Sequence, residues 1–324
     1  MKKKLLISIA IPVKNEIDNL DKLYARLLNL STELNEFDFE FVFSDNSSTD
    51  GTWENIRSLA FSDNRVKGVR FSKDIGFQRS ILANFAATKG DLVMQLDADL
   101  QDPPELLKEF LEKWKEGYKV VYGIRKERPE NLLLRNFRKL GYLLIDWLSE
   151  TSIPQNAGDF RLLDRSVIDL LSQNKSGEPY IRGMIANMGF KQTGIEYLRV
   201  ERTAGKSKFN LGKLIKLGLV AVFNHSTIPL RLASYLGIII LFLSTIYGSF
   251  VFYSWNQDLD LPKGYTSMTL ILLFGIGLIS FLLGIIGEYI FRIYLVVTGE
   301  PKTIIEEYLN LENKSGNNDF EEVL

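Results

Sequence analysis

The sequence predicts an α/β protein whose N-terminal part forms a mostly parallel, doubly wound sheet. Short apolar runs alternate with amphipathic stretches through the first hundred residues, in the order strand, helix, strand, helix, strand. The apolar run at residues 92–96 then ends abruptly in carboxylates and a double proline. Two later apolar runs are each longer than the roughly 20 residues that cross a bilayer. We therefore expect an α/β domain followed by a membrane-associated region.

Composition excludes several classes of site and partner. The 324 residues include 39 basic and 40 acidic side chains, so net charge gives no reason to expect nucleic acid binding. The chain has no cysteine, which excludes disulfides, zinc-thiolate sites and thiol catalysis. The single histidine, His225, rules out a multi-histidine metal site. Local charge patterns must therefore indicate the function.

The first strand is predicted at residues 5–13. Its lysine-rich start superficially resembles a signal peptide, but the apolar run stops at Pro12 without a small-residue cleavage site. The next elements are predicted as helices at 16–34, 53–59 and 78–88 and strands at 39–43 and 66–71. Residues 44–52, after the second strand, are rich in polar turn residues, which is typical of a binding loop.

The acidic stretch after residue 96 indicates a cation-binding site. Residues 92–96 form a predicted buried strand, and Pro103 and Pro104 suit the first turn of a helix. Asp97 and Asp99 therefore lie at the edge where open α/β sheets bind ligands, and both can turn toward one cation. Hard oxygen ligands favour Mg²⁺ or Mn²⁺, which keep some waters and bind substrate phosphates. The alternative is a solvated acidic turn that caps the next helix.

The second half of the α/β region carries further charged candidates. Its elements are predicted as helices at 105–115, from 164 to about 171 and at 180–188, and strands at 119–123, 158–163 and 191–200. Arg125 and Arg135 lie in a basic segment that could hold phosphate, and solvated helix faces are the alternative. The strand at 158–163 carries Asp159 and Arg161.

The C-terminal third is predicted to associate with a membrane. The predicted segments are a cytoplasmic α/β domain at 1–208, an interfacial amphipathic helix at 209–229, a two-helix transmembrane hairpin at 230–298 with spans at about 232–255 and 268–297, and a partly disordered cytoplasmic tail at 299–324. Basic residues flank the hairpin, whereas Asp258 and Asp260 lie between its spans. Both termini are therefore expected in the cytoplasm, on a multi-pass membrane protein. A helical hairpin buried in a soluble core is the alternative.

Taken together, these motifs make the sequence resemble the membrane-associated family 2 glycosyltransferases that act on polyprenyl phosphates, namely the bactoprenol glucosyltransferases and dolichyl-phosphate mannose synthases. The resemblance covers nearly the whole chain, and its motifs are specific in combination. They are Ile11-Pro12-Val13-Lys14-Asn15-Glu16, the loop at 45–52, residues 76–91, residues 97–105, Gly158-Asp159-Phe160-Arg161, residues 202–209 and the two apolar spans. The paired spans resemble those of the bactoprenol glucosyltransferases more than the minimal mannose synthases.

The resemblance implies a GT-A fold, which is Rossmann-like, and a divalent cation, Mg²⁺ or Mn²⁺. It places Asp97, Asp99 and Gln101 at the metal and donor diphosphate. The nucleotide-binding residues that it implies are Pro12, Val13, Glu16, Asp45, Asp97, Ala98 and Asp99. Two segments depart from the family pattern. The loop that usually reads Asp-Asp-Gly-Ser is Asp45-Asn46-Ser47-Ser48, and Lys14 replaces a common tyrosine.

The implied reaction moves a sugar from a nucleotide sugar, with a UDP-glucose-like donor favoured, to undecaprenyl or dolichyl phosphate with inversion. A lipid monophosphate has its second pKa at about 6, so its nucleophilic oxygen is already largely anionic and needs no strong base. Arg202, Lys206 and Lys208 lie beside the interfacial helix, where they could hold the acceptor phosphate together with Arg125 and Arg135. The catalytic group that the resemblance implies is Asp97, Asp99 and Asp159, where Asp159 acts either as a base or by positioning Arg161 or a sugar hydroxyl.

Two other classes of function stay open, and both predict a membrane protein with a similar domain. A processive polysaccharide synthase shares the GT-A core, but that class carries a Gln-x-x-Arg-Trp motif that this sequence lacks. A noncatalytic scaffold or flippase would not need the intact Asp97, Asp99 and Gln101. Self-association through the transmembrane region is compatible with each of these functions.

Overall fold

An eight-stranded sheet forms the centre of the computed structural model, which describes residues 4–126, 157–173, 179–199, 264–297 and 304–311 and five single helical positions between 239 and 253. The strands are β1 Leu6–Val13, β2 Asp38–Asp45, β3 Val66–Phe71, β4 Leu92–Gln95, β5 Val120–Arg125, β6 Ala157–Asp164, β7 Gln192–Tyr197 and β8 Ile305–Leu309. The helices are α1 Ile17–Glu33, α2 Thr52–Ser62, α3 Phe77–Ala87, a 3₁₀ turn Pro104–Leu106, α4 Leu107–Lys115, α5 Arg165–Ser172, α6 Ile181–Asn187 and α7 Tyr265–Val297.

The strand order β7-β5-β6-β4-β1-β2-β3-β8 creates a crevice at the centre of the sheet. β1 pairs in parallel with β4 on one side and β2 on the other, and β2 pairs in parallel with β3. The connections leave β1 in opposite directions, so the carboxyl ends of β1 and β4 flank a topological switch point. Open α/β sheets bind their ligands at such points.

The core strands are apolar along their length because helices cover both faces of the sheet. Seven of the eight residues of β1 are buried, in the near-continuous apolar run typical of a parallel strand. On one face, α1 packs its buried leucines at 20, 23, 27 and 30 with side chains of α2 and α4. On the other face, α3, α5 and α6 enclose a second apolar cluster. This three-layer arrangement confirms the predicted mostly parallel α/β fold.

Two strands depart from the doubly wound pattern. β6 runs antiparallel between β4 and β5, which brings the Asp159 segment beside the end of β4. β8 runs antiparallel to β3 at the sheet edge and was not predicted, because Ile305–Leu309 lies in a segment interpreted as a tail. A five-residue edge strand with two charged residues gives little sequence signal.

The 33-residue helix α7 coincides with the second predicted span. Its described large apolar side chains are mostly exposed; they include Met268, Ile271, Leu272, Ile279, Leu283, Ile286, Ile290, Phe291, Ile293 and Val297. Counting only the residues that the structure describes, no helix is long and apolar enough to cross a membrane. The predicted interfacial helix at 209–229, most of the first span and the tail beyond 311 lie outside the described residues.

Candidate active site

The candidate site begins where β4 ends beside β1. The backbone N–H of Leu96 donates to the carbonyl of Ala10 at 3.0 Å and continues the β4–β1 ladder by one residue. Asp97 therefore emerges at the carboxyl edge of the sheet, as the sequence predicted. One carboxylate oxygen of Asp97, Oδ1, is buried and has no hydrogen-bond partner among the described residues.

Asp97 lies in a strongly acidic environment. Burial, followed by the negative charges of Asp102, Asp159 and Asp99, raises the pKa of its carboxyl group to about 7, against a smaller opposing effect of Arg125. Like charges close to a poorly solvated carboxyl group disfavour its ionisation. A cation bound here would offset this repulsion.

Asp99 and Gln101 lie on a tight turn directly after Asp97. Asp99 is buried, and its Oδ1 accepts a hydrogen bond from the backbone N–H of Gln101 at 3.2 Å. Leu100, between them, has φ of 60°, a left-handed conformation that costs a residue with a Cβ roughly 1–2 kcal/mol. Strain of this kind is common where a loop must present particular groups to a ligand.

The carboxylate pair fits a hard divalent cation. Within the described part of the chain, no group of three or more His, Cys, Asp or Glu side chains could hold a metal. The two carboxylates of Asp97 and Asp99 fill only part of an ion's oxygen shell, which suits Mg²⁺ or Mn²⁺ sites completed by waters and substrate phosphates. The unpartnered oxygen of Asp97 is available for this role.

Asp102 anchors a second network beside this pair. Its carboxylate is fully buried and accepts hydrogen bonds from the Tyr197 hydroxyl at 2.5 Å, from Arg199 Nε at 3.3 Å and from Arg125 Nη2 at 3.4 Å. Arg199 Nη2 also lies 3.8 Å from Asp99 Oδ2. One buried carboxylate thus holds two guanidinium groups next to the candidate metal ligands.

Two glycines make room for this network. A Cβ on Gly158 would lie 2.8 Å from Arg125 Nη2, and a Cβ on Gly123 would lie 2.6 Å from the Tyr197 ring. Burial, followed by the charge of Asp102, raises the pKa of the Tyr197 hydroxyl, so that it remains a hydrogen-bond donor. The glycine of the Gly158-Asp159-Phe160-Arg161 motif therefore has a steric reason.

Asp159 is held by arginines on both sides. Arg182 Nε and Nη2 donate to its two carboxylate oxygens at 2.7 and 3.0 Å, and Arg161 Nη2 lies 3.6 Å away. Burial acts to raise the pKa of Asp159, but the charges of Arg182 and Arg161 outweigh it and hold the pKa below its usual range. Of the two roles considered for Asp159, this geometry favours positioning over proton abstraction.

The predicted nucleotide-binding residues lie at the neighbouring ends of β1 and β2. Pro12 and Val13 pair with Ser44 and Asp45. Asp45 is fully buried, and the backbone N–H of Ser48 lies 3.2 Å from each of its carboxylate oxygens. Asp45 therefore holds the shape of the loop after β2.

That loop is fastened to the start of α1. The backbone N–H of Glu16 donates to Thr52 Oγ1 at 3.0 Å, and the backbone N–H of Asn15 donates to Ser48 Oγ at 2.9 Å. The side chain of Asn15 in turn accepts from the backbone N–H of Thr49 at 2.9 Å. These hydrogen bonds hold the loop after β1 and the loop after β2 together on one side of the candidate site.

One residue from each segment that departs from the family pattern, Lys14 and Asn46, contacts the carboxylate of Asp74. Asn46 Nδ2 donates to Asp74 Oδ1 at 2.6 Å, and Lys14 forms an ion pair with the same carboxylate. Asn46 Oδ1 accepts from the backbone N–H of Ile75 at 2.9 Å. Lys14 and Asn46 thus brace the loop between β3 and α3 against the ends of β1 and β2.

The structure brings most of the predicted site residues to one edge of the sheet. The described members are Pro12, Val13, Glu16, Asp45, Asp97, Ala98, Asp99, Gln101, Arg125 and Asp159. Arg135, Arg202, Lys206 and Lys208 lie outside the described residues. Sequence reasoning missed the Asp102 network, Arg182 and Asp74.

Comparison with known proteins identifies the class of enzyme. The family model described as Glycosyl transferase family 2 matches residues 8–171, and the model described as GtrB C-terminal hairpin matches residues 228–293. An uncharacterized glycosyltransferase of Bacillus subtilis (strain 168) is 38% identical over 315 residues, which cover 97% of this chain and 97% of that protein.

Two further relatives carry more specific names. The bactoprenol glucosyl transferase of Shigella phage SfII is 34% identical over 304 residues, covering 93% of this chain and 97% of that protein. A prophage bactoprenol glucosyl transferase homolog of Escherichia coli (strain K12) is 33% identical over 301 residues, covering 93% of this chain and 98% of that protein. The sheet with its acidic edge, the family match across more than half of the chain and these near full-length relatives show that the chain belongs to glycosyl transferase family 2.

Proposed function

We propose that this glycosyltransferase transfers a sugar from a nucleotide sugar to a membrane polyprenyl phosphate, with Asp97 and Asp99 at the donor diphosphate. The observation that carries this proposal is the buried, unpartnered oxygen of Asp97 beside Asp99 at the switch point of the sheet. The names of the phage and prophage relatives support a bactoprenol-type acceptor and a glucosyl donor, so UDP-glucose is the favoured donor.

The donor site would hold its cation with Asp97, Asp99 and the side chain of Gln101. Mg²⁺ or Mn²⁺ bound there would neutralise the negative charge of the departing diphosphate. The chain's own contribution is to orient this group. Asp97 lies two residues after the end of β4, and the turn at Leu100 holds Asp99 through the hydrogen bond from the Gln101 N–H. The nucleoside would lie against Pro12, Val13, Glu16 and the loop that Asp45 shapes.

The acceptor phosphate would approach the arginines beside this pair. Arg125 and Arg199 are fixed by Asp102, and Arg202, Lys206, Lys208 and Arg135 are the further candidates for holding the lipid headgroup. Since the lipid phosphate is already largely anionic, the enzyme needs to orient its oxygen for in-line attack, which gives inversion at the anomeric carbon. Asp159 supports this by holding Arg182 and Arg161.

Membrane attachment through residues 230–298 belongs to the same proposal. The match of residues 228–293 to the GtrB hairpin model and the exposed apolar side chains of α7 support a two-span hairpin. β8 follows α7 in the chain but pairs with β3 of the N-terminal sheet. A chain that leaves the catalytic side of a membrane after residue 199 and returns by residue 305 must cross it an even number of times. Both termini would then face the cytoplasm, where nucleotide sugars are supplied.

A screen of radiolabelled nucleotide sugars with the reconstituted protein and polyprenyl phosphate tests this function. We expect one sugar per lipid, transferred from one preferred donor and lost on chelation of divalent metal. A polymeric product would identify a processive synthase instead. No transfer from any donor, with the protein folded and metal present, would favour a noncatalytic scaffold or flippase.

A further inference from the structure

Side chains of the C-terminal strand β8 and of Asn310, which follows it, make specific contacts with α2 and β3. Glu307 Oε2 accepts from the indole Nε1 of Trp53 at 2.8 Å, and Glu307 also forms an ion pair with Arg57. Asn310 Nδ2 donates to the carbonyls of Ala60 and Val66 at 2.7 and 3.0 Å. The strand lies outside both matched family ranges, 8–171 and 228–293.

An irregularity in the pairing of β8 with β3 places the side chain of Glu306 beside Arg70. Arg70 pairs with Glu307 and Phe71 pairs with Ile305, so Glu306 is an extra residue in the ladder. β-bulges of this kind redirect a side chain and occur often next to active sites. The carboxylate of Glu306 lies 3.4 Å from Arg70 Nε.

Arg70 links Glu306 to the loop after β2. Its Nε also lies 3.7 Å from Asp45 Oδ2, and this buried Nε makes no hydrogen bond to any described residue. Its guanidinium carbon lies 6.0 Å from the centre of the Trp53 ring. Arg70 is thus held between a bulged residue of β8 and the buried carboxylate that shapes the candidate nucleoside pocket.

We propose that β8 is a working part of the donor site, in which Glu306 positions Arg70 against Asp45 and thereby fixes the loop at residues 45–48 that receives the nucleoside. Glu306 and Arg70 are positioning residues, since they act through Asp45. The segment that follows the apolar helix α7 would therefore contribute to nucleotide affinity. This inference rests on the proposed function and adds to it a determinant outside the family motifs.

The test compares Glu306→Gln with wild type and with Glu33→Gln. Glu33 forms a similarly exposed ion pair with Lys108 between α1 and α4, away from the site, so its variant is the matched control. Binding of UDP and Mn²⁺ is measured by calorimetry, and KM is measured separately for donor and acceptor. The Glu306 carboxylate is about half exposed, at 56%, so this variant retains its fold.

We expect Glu306→Gln to weaken UDP binding about threefold to fivefold, the range of a partly exposed ion pair, and to raise the donor KM equally. The acceptor KM and the melting temperature should stay at wild-type values, which a merely structural role would not produce. Arg70→Gln should weaken UDP binding more, and the double variant should be no worse than Arg70→Gln alone.

Wild-type UDP affinity in Glu306→Gln, or additive effects in the double variant, would overturn the inference while the proposed function stands. Failure of the wild-type protein to bind any nucleoside diphosphate would instead overturn the proposed function. The two failures are therefore distinguishable in one set of titrations.

Discussion

The carboxyl group of Asp97 should make the folded protein less stable as pH rises, whereas most carboxylates make it more stable. Its folded pKa of about 7 lies above the ordinary 3.8, so the folded protein holds this proton more tightly than the unfolded chain. Ionisation therefore destabilises the metal-free protein increasingly as pH rises from about 4 to about 7. Asp97→Asn should remove this penalty. At pH 8 without metal, the variant should be more stable to unfolding by up to about 4 kcal/mol.

Thermal unfolding in detergent with a chelator measures this effect across pH 4 to pH 8. Mn²⁺ should raise the melting temperature of the wild-type protein at pH 8 and leave that of Asp97→Asn unchanged. If Asp97→Asn is less stable than wild type at pH 8 without metal, Asp97 stabilises the fold and is not a cation ligand.

The Tyr197 hydroxyl should matter for the acceptor and not for the donor. Tyr197→Phe keeps the ring contact with Phe160 but removes the donor to Asp102, which frees Arg125 and Arg199 to move. We expect catalytic efficiency toward polyprenyl phosphate to fall about tenfold, because a hydrogen bond to a charged group is lost. Nucleoside diphosphate affinity should stay within about twofold of wild type.

Tyr24→Phe is the matched control for Tyr197→Phe. The Tyr24 hydroxyl also donates to a carboxylate, Asp63, at 2.7 Å, but it lies between α1 and α2. Kinetics with lipid and donor varied separately would distinguish the two. Equal losses in both variants, or a loss confined to donor binding, would contradict the role assigned to the Asp102 network.

Single residues were predictable where one local motif specified them. Asp97 and Asp99 follow a buried strand, and this context alone placed them at the sheet edge. The partners of Asp102 were not predictable, because Tyr197 lies 95 residues later in the chain. Only the strand order β7-β5-β6-β4 brings the two together, and no local pattern encodes that order.

At the scale of elements, the amino ends of the parallel strands lie opposite the candidate site. We expect substitutions there to change stability without changing activity. Glu40 of β2 is buried, accepts from Ser8 Oγ at 2.5 Å and from the backbone N–H of Lys89 at 2.6 Å, and is ion-paired with Lys67. Glu40→Ala removes the acceptor of these bonds and of the buried ion pair, so the free energy of unfolding measured in urea should fall by about 3 kcal/mol.

Sugar transfer per folded molecule should be unchanged in Glu40→Ala. Glu33→Ala, which breaks the exposed pair with Lys108, should cost less than about 1 kcal/mol by the same urea measurement. A loss of turnover in folded Glu40→Ala would mean that the two ends of the sheet are coupled.

The helices and central strands were predictable because their periodicity is strong. The buried positions of α1 repeat every three to four residues, and β1 is an almost unbroken apolar run. β8 was missed for a physical reason. Its pairing depends on Glu307 meeting Trp53 and Arg57, about 250 residues earlier, and not on local propensity.

For the whole molecule, the return of β8 to the sheet requires residues on both sides of the apolar region to share one compartment. The chain has no cysteine, so single cysteines can be introduced without background. We expect Asn256→Cys, between the predicted spans, to react with a membrane-impermeant maleimide in intact cells. Ser315→Cys, in the tail, should react only after permeabilisation.

Labelling of Ser315→Cys in intact cells would contradict this topology. The sequence alone suggested the same orientation from its charge distribution, through Asp258 and Asp260 in the loop and basic residues outside it. The pairing of β8 with β3 bears on one part of this prediction, that the chain before and after the apolar region lies on the same side of a membrane.

We propose that Asp97 and Asp99 hold a divalent cation at the diphosphate of a sugar donor. The most direct measurement is the initial rate of sugar transfer to polyprenyl phosphate by wild type, Asp97→Asn and Asp99→Asn, each titrated with Mn²⁺ or Mg²⁺ after chelation. We predict that wild-type transfer requires the metal and that both folded variants fail to recover it at any metal concentration. Near wild-type turnover in either variant, or full transfer in the presence of chelator, would contradict the assignment.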